Sequence, residues 1–96
     1  MKVQDWIFSV RYGALSYDRH AVVGPARAVT VESALGLAKV PEDVRTQIRG
    51  CAVVQDFIDG RLDPDRSGYY TSGRSGDDDS VAWTICIGSV HEVLRD

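Results

Sequence analysis

Val81-Ala82-Trp83-Thr84-Ile85-Cys86-Ile87-Gly88-Ser89-Val90 is the stretch on which the fold turns. Val81, Trp83, Ile85 and Ile87 alternate with Ala82, Thr84, Cys86 and Gly88, which is the two-residue period of a strand. Both sets are apolar enough to predict a central strand covered on each face. A matching alternation runs from Gln4 to Tyr12, with Trp6, Phe8, Val10 and Tyr12 on one side and Asp5, Ile7, Ser9 and Arg11 on the other. Gly13-Ala14 interrupts it, and Leu15, Tyr17, Ala21 and Val23 continue a weaker alternation from Leu15 to Val23, so the spacing predicts a β-hairpin.

The middle of the chain reads in threes and fours. Gly24-Pro25 punctuates it, Thr30 is a cap candidate, and Val31, Ala34, Leu35 and Ala38 form one stripe that Pro41 ends. Pro41 suits the first position of a second helix, followed by Glu42 and Asp43 at its positive end and by Val44, Ile48, Cys51, Ala52 and Ile58 at helical spacing. Gly50 is the weak point of that helix, and a break there leaves Cys51 to Ile58 able to form a strand instead. After Asp59-Gly60 the chain turns polar, shows a brief Tyr69-Tyr70-Thr71, and from Ser72 to Ser80 reads as loop. The expected architecture is a single α+β domain over residues 1 to 96: a small antiparallel sheet with two helices on one face, in the order ββααββ.

Composition sets limits. The chain has 96 residues, 44% hydrophobic and 26% charged, values of an ordinary globular domain. No apolar run approaches the ~20 residues of a membrane helix, and the first residues lack a signal-peptide pattern, so a cytoplasmic protein is expected. Cys51 and Cys86 have no CxxC or Cys/His spacing and lie in apolar runs, which predicts buried, reduced thiols rather than a disulfide or a zinc site. Residues 1 to 50 hold seven Lys/Arg and five Asp/Glu, whereas residues 51 to 96 hold four against nine, a local balance of −5 within a net charge of −3. That asymmetry disfavours general affinity for nucleic acid and favours basic partners.

Asp63-x-Asp65-x-Ser67-Gly68 resembles the opening of an EF-hand calcium loop. Its twelfth position is Arg74 where a bidentate Glu is required, so the reading is an Asp-Pro turn held by Asx hydrogen bonds, with no metal and no cofactor expected. Arg11-Tyr12-Gly13-Ala14-Leu15-Ser16-Tyr17 resembles the aromatic strand of RNA-recognition motifs but lacks the Gly after the basic residue, and the element order differs from theirs. Cys51 with His20 or His91 would supply the residue types for nucleophilic catalysis, yet no nucleophile signature surrounds Cys51. The glycines at 68, 73 and 76 link no strand to a helix start.

With no visible nucleophile, base or metal set, the chain reads as a non-catalytic protein-binding module. Asp77, Asp78 and Asp79 form the leading edge toward a basic protein surface, and Tyr69 and Tyr70 are the anchors. Phage or mobile-element inhibitors of host nucleic-acid-binding complexes, of the anti-CRISPR type, belong to this class on size and charge. Neither direct nucleic-acid binding nor membrane association is expected, and edge strands could pair two copies into a homodimer. The alternative is a small ligand-binding or enzymatic domain with its site near Asp63, Asp65, Tyr69 and Tyr70.

Overall fold

The computed structural model describes residues 6–21, 25–63, 65–66, 68–74 and 81–89. The strands are β1 (Trp6–Tyr12), β2 (Leu15–Ala21), β3 (Gly68–Arg74) and β4 (Ala82–Ser89); between β2 and β3 run the helices α1 (Pro25–Leu37), α2 (Glu42–Arg49) and α3 (Ala52–Asp59). All pairings are antiparallel, in the spatial order β2-β1-β4-β3.

The α+β class and antiparallel sheet are as the sequence predicts; the helix count is three rather than two, in the order ββααα-ββ. Gly50 does end α2, but the next segment is neither a continued helix nor a strand. Cys51 is extended (φ −69°, ψ 135°) and the chain re-enters a helix at Ala52, which turns Val54 and Phe57 into the core. Helical spacing of the apolar residues therefore outweighs the strand propensity of Val53, Val54 and Ile58. The first helix begins at Pro25, five residues before the cap assigned to Thr30, which instead lies inside the helix and is buried. Gly24-Pro25 reads as punctuation because Pro stops a helix, yet Pro equally opens one, since its missing N–H is unneeded in the first turn.

The helix ends obey local chemistry. Lys39 takes a left-handed φ of 58°, Val40 N–H reaches Leu35 O at 3.1 Å and Lys39 N–H reaches Gly36 O at 3.1 Å, a Schellman closure with Lys in the usual glycine position. Gly60 closes α3 in the same way at φ 73°, with Arg61 N–H on Asp56 O at 2.8 Å. Arg49 ties α2 to α1: its Nε and Nη2 donate to the two oxygens of Glu32 at 2.9 and 2.8 Å, and its Nη1 donates to Glu42 at 3.0 Å.

The three helices cover one face of the sheet. Trp6, Phe8 and Val10 of β1 and Trp83, Ile85 and Ile87 of β4 meet Val31, Leu35, Val44, Ile48, Val54 and Phe57, all buried. Phe8 stacks on Phe57 with ring centroids 5.4 Å apart. Burial of this apolar surface, at ~25 cal/mol per Å², is the main force holding the two layers together.

β4 is interior in the strand order, as expected, but among the described residues it is covered on one face alone. Cys86, between Ile85 and Ile87, is exposed, and Cys51 is half-buried, so neither thiol is the fully buried group that its apolar neighbours suggest. A strand with helices on one side buries only alternate residues, whatever the hydropathy of the others. Ser72 to Arg74, read as loop, extend β3: Ser72 pairs with Thr84, Gly73 with Trp83 and Arg74 with Ala82.

Candidate functional site

Strand register fixes which side chains share the helix-free face. Cross-strand partners point the same way, so the rows across this face are His20, Ile7, Gly88 and Gly68; then Asp18, Ser9, Cys86 and Tyr70; then Ser16, Arg11, Thr84 and Ser72. Tyr70 is 67% exposed, the largest fractional exposure of any large aromatic side chain among the described residues. Beside it Ser9, Arg11, Ser16, Thr84 and Cys86 border an open trough of about 400 Å³. The face is polar and small at its centre, with one protruding aromatic.

The two adjacent tyrosines have different surroundings, as alternation demands. Tyr69 faces the helices, where its ring meets Trp6 edge-on at 6.0 Å between centroids and the Arg66 guanidinium lies 4.5 Å over it. Its hydroxyl accepts a hydrogen bond from Asp63 N–H at 2.7 Å. Asp65 N–H donates to Asp63 Oδ1 at 2.9 Å, which is the Asx turn read from the sequence. Asp63, Asp65, Arg66 and Tyr69 thus form one cluster that clips the loop after α3 to the start of β3. Tyr70 stands on the opposite face of the sheet. The four residues named for a ligand site, Asp63, Asp65, Tyr69 and Tyr70, do not line one cavity: only Tyr70 borders the trough.

Asp77, Asp78 and Asp79 lie outside the described residues, in the segment joining β3 to β4, and so does His91. Cys51 Sγ donates to Gln47 O at 3.4 Å in the helical layer, while His20 stands in a row of the opposite face, so these two do not meet. Tyr12 pairs with Leu15 and Trp83 on the helix-facing side, which removes it from any stacking surface on the helix-free face. No group of three or more His, Cys, Asp or Glu that could hold a metal occurs among the described residues, and none of their helices is long and apolar enough to cross a membrane.

The α1–α2 clamp displaces the titration of both its partners. Hydrogen bonding to Arg49 holds the Glu32 carboxyl below its ordinary value, and the same contact raises the Arg49 guanidinium. The clamp sits on the helical layer, remote from the trough.

Cys86, Ser9, Arg11 and Thr84, the surface partners of Tyr70, are not among the residues that sequence reading singles out for the site. Alternation does place Ser9 and Arg11 opposite Phe8 and Val10, and the polar choice at those positions is a legible sign that this face lacks a second cover. Comparison with protein-family models, with curated proteins and with solved structures finds no match, so the site rests on its own geometry.

Proposed function

We propose that this chain is a non-catalytic protein-binding module that presents the helix-free face of its sheet to a protein partner, with Tyr70 as the anchor. The observation that carries the reading is the contrast between two adjacent tyrosines: one is engaged inside the fold, and the other stands 67% exposed on the helix-free face. An exposed tyrosine offers a large, rigid contact area with few torsions to freeze, and such residues carry a disproportionate share of binding energy. Ser9, Ser16 and Thr84 around it supply hydroxyls for a polar rim.

A protein fits this face better than single-stranded nucleic acid or a small metabolite. Stacking platforms offer several aromatics in succession, whereas Tyr70 is the single Phe, Tyr or Trp in the rows of this face, with His20 at its far edge. Small-molecule sites bury most of their ligand in a concave, enclosed cavity, and the trough beside Tyr70 is open. Asp77, Asp78 and Asp79 come after β3 in sequence, and the −5 balance of residues 51 to 96, four Lys/Arg against nine Asp/Glu, favours a basic partner whose approach that charge accelerates. An inhibitor or adaptor that works by occluding a basic surface is the form of function this supports.

The test is affinity capture with the wild-type chain, Tyr70→Ala, and Val29→Ala on the exposed side of α1. The expected outcome is one saturable protein partner retained by wild type and Val29→Ala and released about tenfold or more faster by Tyr70→Ala, the loss of an anchor worth ~1.4 kcal/mol. Equal retention by all three variants removes the face from the interaction.

A further inference from the structure

The sheet ends in two edge strands, and they are guarded very differently. β2 carries Asp18, Arg19 and His20 in its middle, ionisable groups of the kind that blunt an edge against unwanted pairing. β3 reads Gly68-Tyr69-Tyr70-Thr71-Ser72-Gly73-Arg74, with no Pro, no Lys and no charge before its last residue. Its register with β4 runs from Gly68 on Gly88 to Arg74 on Ala82 without a slip, so no bulge twists the edge away. Among the described strands its ladder is to β4 alone. Every second residue of such a strand turns its N–H and C=O outward. A seven-residue edge strand with this composition is a template for one more strand.

We infer that the strand added to β3 is β3 of a second copy of this chain, paired antiparallel about a two-fold axis through Thr71. The residues themselves argue for this occupant. Thr71 is the midpoint of β3, so this register pairs the whole strand, whereas a two-fold through Tyr70 or Ser72 leaves only residues 68 to 72 or 70 to 74 paired. It sets Thr71 against Thr71 of the copy, Tyr70 against Ser72, Tyr69 against Gly73 and Gly68 against Arg74. Each pair joins residues of the same face, so the two helical layers lie on one side and the two uncovered faces merge on the other. A Thr–Thr pair is a favourable cross-strand neighbour, and this register sets Arg74 against Gly68 rather than against another cation. The symmetric interface is self-complementary, as a two-fold requires.

Charge separates this inference from the binding reading above, on which it does not depend. Two copies of net charge −3 repel, so self-association strengthens as salt rises, whereas capture of a basic partner weakens with salt. The expected area is that of a single strand pair, which makes the dimer weak and concentration-dependent.

The experiment is sedimentation velocity of the full chain from micromolar to millimolar concentration at low and high salt, together with cysteine cross-linking in a Cys51→Ser, Cys86→Ser background. Directly opposed residues in an antiparallel ladder have Cα atoms about 4.5–5.5 Å apart, within disulfide reach, and residues two positions off register are not. Thr71→Cys therefore oxidises to a dimer at least about tenfold faster than Ser72→Cys or the β2-edge control Asp18→Cys. A chain that stays monomeric at millimolar concentration and high salt overturns the inference, as do equal cross-linking rates at 71, 72 and 18. So does amide protection of β3 that appears only when a different protein is bound.

Discussion

Adding one methyl group to Gly73 and the same methyl to Gly36 should move stability in opposite directions, because of what each Cβ would meet. A Cβ at Gly73 would stand 2.5 Å from Cζ2 and 2.8 Å from Cε2 of Trp83, whose indole lies across the backbone of β3. Carbon atoms are comfortable at about 3.5–4.0 Å, so the ring must retreat by roughly 1 Å. It has little room to do so, being 4% exposed and paired across the sheet with Tyr12. Overpacking of this kind costs ~1–3 kcal/mol, and a rigid indole puts Gly73→Ala in the upper half of that range, about 2–3 kcal/mol. Without the indole, alanine would be the better strand residue by ~0.5–1 kcal/mol, so the sign itself reports the contact. At Gly36 in α1 nothing lies within 4 Å, and Gly36→Ala should gain ~0.5–1 kcal/mol from helix propensity. Thermal unfolding by circular dichroism reads both: for a domain of this size the first variant melts roughly 10–20 °C lower and the second a few degrees higher. In a Trp83→Leu background the Gly73→Ala cost should fall below about 1 kcal/mol, a coupling that a double-mutant cycle isolates. A Gly73→Ala variant that melts with the wild type, or whose cost is unchanged by Trp83→Leu, would refute the steric account.

Two further outcomes are expected. Cys86 should react with a thiol reagent in the native protein while Cys51, half-buried with its Sγ on Gln47 O, reacts more slowly; partner binding through Tyr70 should then shield Cys86, its cross-strand neighbour, and mass spectrometry of the labelled peptides separates the two sites. The Glu32 carboxyl, held below its ordinary value of 4.5 chiefly by hydrogen bonding to Arg49, contributes stability that is present above pH 4.5 and lost as pH falls through its lowered pKa. Glu32→Gln should therefore melt about 1–4 °C below wild type near pH 7, the modest effect of a half-exposed pair, and the gap should close as the scan is moved below pH 4.5. A constant gap across pH would show that the clamp is not electrostatic.

Period and local chain chemistry were enough to place several elements from the residues alone. The alternations at 4 to 12 and 81 to 90 placed β1 and β4, Gly13 placed the hairpin turn, which it enters at φ 59°, and the spacing of Val31, Ala34, Leu35 and Ala38 placed one face of α1. The Asx turn at Asp63 was legible because an aspartate two residues before a free N–H needs nothing distant to close it. Other features were settled by long-range packing. The helical layer resolved Cys51 to Ile58, a stretch whose residues suit a strand as well as a helix, because Val54 and Phe57 find the core only at helical spacing. Pairing with β4 drew Ser72 to Arg74 out of the loop that Ser and Gly suggest, and the Trp83 indole made glycine necessary at 73. Alternation says that Tyr69 and Tyr70 face opposite ways, but which of them is engaged and which stands free depends on where the helices lie. Exposure of Cys86 has the same cause: an apolar run tells how a strand could be buried, and only the number of layers packed on the sheet decides whether one face or both are covered.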